Sequence, residues 1–306
     1  MKPFCTLRSN LRNAFLFSLI SLALSSSALQ AEGAASETVH LRGGVFRLTG
    51  TMANSTALSG ADGTLLVDSG QNETEAKAML AAIQTAGLGP VDYLVNTHRH
   101  YDHVAGNAVF GSGGAAIIAT PSVRESLATN PILPNVPLLP SVALPSICFD
   151  KELTLFFDGE VVSLYHPQGP AHTEGDLVVY FRHADVLATG DILFWGMYPY
   201  IDPAGSAPGM ATALREVAAM IGEHTIVVPG HGPLTDRKGR LLAADMLEDV
   251  SQTVARLAAE GKTLPEIIAA HPSARWDEAF GKGFMSPDNF VQLVYNTLPA
   301  NTGKAK

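Results

Sequence analysis

Thr97-His98-Arg99-His100-Tyr101-Asp102-His103 places three imidazoles and one carboxylate within six consecutive positions, His98 to His103. The stretch follows an apolar run, Val91-Asp92-Tyr93-Leu94-Val95-Asn96, that reads as a buried strand. Side chains two apart on an extended strand end point the same way, so His98 and His100 can grip one metal ion together. Asp102 and His103 come after the chain turns and face a neighbouring position. Imidazole and carboxylate donors without a thiolate suit zinc first, with manganese or iron as further candidates.

At the N-terminus, Lys2, Arg8 and Arg12 form a basic region and Ala14 to Leu24 a short apolar one, with cleavage expected after Ala28 or Ala31. This pattern predicts a secretory signal peptide over residues 1–31 and an exported protein, periplasmic or secreted, with no membrane span after cleavage. The whole chain carries 20 Lys and Arg against 29 Asp and Glu; without those three basic residues the net charge moves from −9 to −12. So acidic a surface repels a phosphate backbone, which argues against nucleic acid and for a small-molecule substrate. Cys148 becomes the only cysteine, so no internal disulfide is expected, and its neighbours Ile147 and Phe149 predict a buried, inert thiol. Residues 32–306 suffice for one domain with one large core. The oligomeric state is left open.

Along the chain, Val39 to Gly50 alternates like one outer strand, followed by strands over Met52 to Ser59 and Thr64 to Val67, the last ending in Asp68-Ser69-Gly70. A helix is expected from Glu73 to Ala86, and another from Pro121 to Thr129 after a short strand at Ala115 to Ala119. Asn130 to Ser146 carries Pro131, Pro134, Pro137, Pro140 and Pro145 among apolar residues, which excludes regular structure and reads as a lid over a site or a strap over the core. Strands return at Leu153 to Phe157, Glu160 to His166, Leu177 to Phe181, Val186 to Ala188 and Thr225 to Val228. Helices are expected at Met210 to Ile221 and in a C-terminal group over about residues 237–298. Each half runs strands first and helix later, which predicts two sheets packed face to face with helices outside.

Three later sites complete a constellation: His172 in a Gly/Pro turn, Asp191 at a strand end, and His231 between Gly230 and Gly232 at another strand end. With the His98-x-His100-x-Asp102-His103 signature and Asp68, the chain resembles the metallo-β-lactamase superfamily from about residue 39 to 260. The resemblance implies an α/β fold, a four-layer αββα sandwich with its site at one edge of the two sheets. It further implies two zinc ions, one held by His98, His100 and His172 and the other by Asp102, His103 and His231. Asp191 would bridge them together with a hydroxide, Asp102 would be the catalytic residue, and Asp68 would hold a ligand imidazole from behind.

Departures from the family's subgroups narrow the substrate. One large β-lactamase group has cysteine where Asp191 stands and lysine three residues later, where this chain has Phe194. A bridging aspartate resembles glyoxalase II, lactonases and other esterase-like members, although acyl-homoserine lactonases carry tyrosine at the Phe194 position. The expectation is therefore an exported dinuclear zinc hydrolase of an ester, lactone, thioester or cyclic amide. A β-lactamase, a metal-binding protein without turnover and a mononuclear iron oxygenase of the sulfur-dioxygenase kind are the alternatives. Phe194, Trp195, Tyr198 and Tyr200 are candidates for the substrate pocket, and Asn54 and Ser55 for substrate contact; His40, His166, His183, His224 and His271 match no motif and read as structural or surface residues.

Overall fold

The computed structural model describes residues 36–49 and 51–298; the signal-peptide reading of residues 1–31 lies outside them. Its first sheet has seven strands in sequential order: β1 (Glu37–Arg42), β2 (Val45–Thr49), β3 (Ser55–Gly60), β4 (Gly63–Val67), β5 (Val91–Val95), β6 (Ala116–Ala119) and β7 (Ile147–Cys148). A second sheet of five strands comprises β8 (Glu152–Phe157), β9 (Glu160–Tyr165), β10 (Val178–Phe181), β11 (Val186–Ala188) and β12 (Ile226–Val228), in the order β12-β11-β10-β9-β8. The helices are α1 (Glu73–Thr85), α2 (Tyr101–Val104), α3 (Asn107–Ser112), α4 (Pro121–Thr129), α5 (Ala207–Met220), α6 (Arg237–Ala259), α7 (Leu264–Ala269), α8 (Asp277–Phe280) and α9 (Pro287–Thr297).

Period-two alternation explains the layering. Leu65, Val67 and Val95 of the first sheet meet Val179, Phe181, Val186 and Val228 of the second in one cluster between the sheets. Their neighbours Leu66 and Leu94 point the other way, onto Ala76, Met79 and Ile83 of α1 and Phe110 of α3. Val178, Leu187 and Val227 likewise leave the second sheet's outer face to pack under α5 and α6. Both faces of the central strands are thus covered, which is why they read as near-continuous apolar runs. The result is the αββα sandwich. Among the described residues no helix is long and apolar enough to cross a membrane.

Two expectations need correction, and a third, left between two alternatives, is decided. The single outer strand over Val39 to Gly50 is a hairpin: the chain reverses at Gly43-Gly44, with Gly43 at φ 58°, a two-glycine turn of the kind that joins antiparallel strands. Cys148 is exposed rather than buried, because β7 is an edge strand that, among the described residues, pairs with β6 alone. The proline-rich segment is a strap: Ile132, Leu139 and Leu144 pack against Val104, Ala119, Val123 and Leu127, and the Ala143 carbonyl accepts from Asn107 Nδ2. None of its residues reaches the cleft described next.

Candidate metal centre

Four strand ends converge at one edge of the sandwich. β4 and β5 run parallel and end in Asp68 and in the segment leading to His98; β11 and β12 run parallel and lead to Asp191 and His231. His172 comes from the loop between β9 and β10, and Asp102 and His103 from the single turn of α2. Carboxyl ends of parallel strands are where α/β sheets expose loops to one common crevice.

The seven side chains form two adjoining clusters, His98, His100, His172 and Asp191 in one and Asp102, His103 and His231 in the other. In the first, His100 Nδ1 lies 3.1 Å from His98 Nε2 and 2.8 Å from His172 Nε2, and Asp191 Oδ2 lies 3.7 and 3.4 Å from those two Nε2 atoms. In the second, His231 Nε2 is 3.2 Å and His103 Nε2 3.8 Å from Asp102 Oδ2. Asp191 also reaches this cluster, 3.1 Å from His103 Nε2 and 3.5 Å from His231 Nε2. One buried carboxylate therefore touches donors of both clusters. Glycine is required beside it: a Cβ on Gly230 would stand 1.9 Å from Asp191 Oδ1.

Partners behind the rings assign the tautomers. His103 Nδ1 donates to Asp68 Oδ2 at 2.7 Å, His172 Nδ1 to the Tyr200 carbonyl at 2.9 Å, and His100 Nε2 to Asp202 Oδ2 at 3.0 Å. Thr97 Oγ1 gives its proton to Asp68 at 2.8 Å and so accepts from His98 Nδ1 at 3.1 Å. Each ring then turns a lone pair towards its neighbours' lone pairs. Such an arrangement is repulsive unless a cation lies among them. Ligand atoms around a tetrahedral zinc stand about 3.3 Å apart, given metal–ligand distances of about 2.0–2.1 Å, close to the separations found here. His103 Nε2 and Asp191 Oδ1 are moreover buried without a hydrogen-bond partner of acceptable geometry. The residues fit divalent cations.

Charge follows the same logic. Burial disfavours a charged His103, but Asp191 and Asp68 override it and hold its pKa well above the ordinary value. Burial likewise opposes charge on His231, yet Asp191 and Asp102 raise it to about 9. Asp191 is kept well below the carboxylate range, its burial outweighed by His103, His231 and His98. Burial lowers His98 well below its usual value and His172 to about 4, the neighbouring carboxylate offsetting only part of the effect. Without metal, protons on the second cluster stand in for a cation.

Asp68 adopts the left-handed conformation at φ 62°, uncommon outside glycine, and there takes Thr97 N, Thr97 Oγ1 and His103 Nδ1 together. Local strain of this kind persists where surrounding bonds over-determine it. Asp202 has the matching role for His100 and escaped the sequence reading, since nothing in the spacing links Tyr200-Ile201-Asp202 to the histidine motif. Its carboxylate also takes Arg99 at 2.7 Å and the Ala204 amide; burial raises its pKa, but these donors bring it down to about 2. Asp202→Ala is expected to weaken cation binding about ten- to a hundredfold in a chelator competition, as loss of such outer partners does elsewhere; unchanged affinity would show that His100 needs no support.

The aromatic candidates divide. Phe194 and Tyr200 line the cleft, and Phe194 stacks on His231 with centroids 4.8 Å apart. Tyr198 does not: it is fully buried, stacks on Phe290 at 4.4 Å and donates to Asp277 Oδ1 at 2.7 Å, tying the C-terminal helices to this loop. Trp195 also points elsewhere, against Phe280 and Gly239 of α6. Asn54 fastens the His231 loop, donating through Nδ2 to the Pro229 and Gly232 carbonyls, and Ser55 is buried. His40, His183, His224 and His271 are exposed, and His166 bonds to the Asp176 carbonyl.

A sandwich with a paired His/Asp cluster at its edge is the frame of a class of metal-dependent hydrolases. The chain belongs to the metallo-beta-lactamase superfamily, whose family model matches residues 48–234. It is 25% identical to a metallo-beta-lactamase type 2 of Bacillus cereus over 69% of this chain and 78% of that one. It is 28% identical to a hydroxyacylglutathione hydrolase of Brucella anthropi over 67% of this chain and 75% of the relative. Among solved structures, a metallo-beta-lactamase from Pontibacter korlensis superposes with a TM-score of 0.60 at 21% identity, covering 70% of this chain and 99% of that chain. These likenesses fit a hydrolase fold with a divalent-metal site.

Proposed function

We propose that the chain is an exported, dinuclear zinc-dependent hydrolase that cleaves an ester, lactone, thioester or cyclic amide. The observation that carries the reading is Asp191, whose two oxygens lie 3.1–3.7 Å from donors of both clusters. Zinc bound there would supply Lewis acidity, bringing water towards ionisation near neutral pH and drawing charge from the acyl oxygen. The protein's own part is positioning. Asp68, Thr97, Asp202 and the Tyr200 carbonyl fix the imidazoles that would hold the metals. Asp102, on the cleft wall, is held in its carboxylate form, burial being outweighed by His231 and His103. It can orient the attacking water and take its proton, then return a proton to the leaving group. Export rests on the basic and apolar pattern of residues 1–31.

The test is chelator-sensitive hydrolysis of p-nitrophenyl and thiophenyl esters and of small lactones by zinc-loaded protein. Asp102→Ala is expected to lower turnover by at least about 100-fold, the usual scale for a positioned acid–base group. Metal-loaded protein inert on every acyl substrate would defeat the reading. A second reading, β-lactam hydrolysis, is favoured by the Bacillus cereus relative. A chromogenic cephalosporin decides it: efficient, chelator-sensitive turnover would make this the main activity.

A further inference from the structure

We propose that the cleft selects an uncharged ester or lactone whose acyl group is apolar; this rests on the hydrolase reading above. The cleft encloses about 490 Å³. Its walls are Met52, Tyr101, Phe194, Tyr200 and Phe284 beside the metal-site residues. Three of these leave apolar surface open: Phe284 is 63% exposed, Met52 51% and Tyr200 37%. Phe284 packs against Phe194 with centroids 6.0 Å apart, and Phe194, itself only 4% exposed, stacks on His231, so a row of rings leads from the mouth to the metal-site residues. Tyr101 meets Met52 on the wall through its hydroxyl, 3.6 Å from the sulfur. An acyl chain lying along this surface would remove it from water, which is the driving force such a surface offers.

Charge excludes the alternatives. Outside the clustered donors, the charged groups on the cleft wall among the described residues are Arg99 and Asp202, and they face each other at 2.7 Å. Asp202 is further held by His100. Arg99 is therefore already paired before any substrate carboxylate arrives, and among the described residues no Lys or other Arg lines the cleft. A substrate carrying a remote carboxylate would bring an uncompensated charge against Phe194, Phe284 and Met52. The reaction itself needs only water: its oxygen bonds to the acyl carbon, the carbon–alkoxy bond breaks, and the departing oxygen takes the proton, leaving one acid and one alcohol.

The test compares p-nitrophenyl acetate, p-nitrophenyl hexanoate and the half-ester of adipic acid on zinc-loaded protein. Complete burial is worth up to about fourfold per methylene, so hexanoate is expected to exceed acetate in kcat/KM by at least about tenfold. The adipate half-ester should fall at least about tenfold below hexanoate. Phe284→Ala, at a 63% exposed position, should cut the hexanoate-to-acetate ratio at least about threefold. A flat or inverted chain-length series, or a preference for the carboxylate, would overturn the proposal. Binding gives a readout independent of turnover: affinity of primary amides should tighten from propanamide to octanamide and do so less in Phe284→Ala. If no acyl substrate of any class is cleaved, the hydrolase reading fails, and the amide series alone decides whether the apolar subsite exists; amides that bind without chain-length preference would overturn it.

Discussion

Asp191→Ala is expected to lower hydrolysis by at least about 10³-fold, the several kcal/mol that Lewis-acid stabilisation contributes, and to leave the protein unable to hold a full metal complement. The reason is geometric. Every donor that Asp191 approaches, His98 and His172 on one side and His103 and His231 on the other, would lose its shared carboxylate at once. Removing a partner from one cluster alone leaves the other intact; removing Asp191 opens both. The variant also strands His103 and His231, whose protonated forms Asp191 stabilises. Asp191→Asn keeps the shape but not the charge and should behave nearly as badly. Metal content and rate measured together on the same preparation check this: a variant that retains full metal and full rate would remove Asp191 from the centre of the account.

The second large effect is on pH. With His231 at about 9 and His103 well above its ordinary value in the metal-free protein, cation binding at pH 7 has to expel a proton from each ring. Binding that releases protons weakens as pH falls, by up to about tenfold per unit for each proton displaced. Calorimetry in buffers of different ionisation enthalpy should therefore register proton release on loading, and affinity should drop steeply from pH 8 to pH 6. Stability of the metal-free protein has the corresponding signs. His103 and His231 have folded pKa values above the unfolded one, so their contribution is present below about 6.5 and is lost as pH rises through about 9 for His231. His98 and His172 have depressed values, so their contribution is full above about 6.5 and is lost as pH falls towards about 4 for His172. Metal-free protein should thus lose stability on both sides of neutrality. Loading without proton release would mean that the rings are neutral beforehand.

Much of this site was legible because its donors sit at strand ends marked by short motifs. Thr97 to His103, Gly190-Asp191 and Gly230-His231-Gly232 each follow an apolar run that could only be a buried strand. The layers were legible for the same reason, since Leu65, Leu66 and Val67 show a strand buried on both faces. What escaped depends on side-chain direction after a loop. Trp195 and Tyr198 lie within seven residues of Asp191, as Phe194 does, but the turn at Gly196 (φ 76°) sends Tyr198 under α8 and α9 while Tyr200 returns to the cleft. Asp202 and Phe284 reach the site from 102 residues beyond His100 and from the loop between α8 and α9, and no periodicity announces either. Cys148 misled because apolar neighbours indicate burial only when a strand has sheet on both sides.

The proposed function requires two cations side by side on the seven clustered donors. Titrating metal-free protein with zinc while following both bound metal and ester hydrolysis tests it most directly. Two equivalents bound per chain are expected, with the rate rising as the second fills and vanishing when a chelator removes both. Saturation at one equivalent with full activity, or activity untouched by complete metal removal, would contradict it.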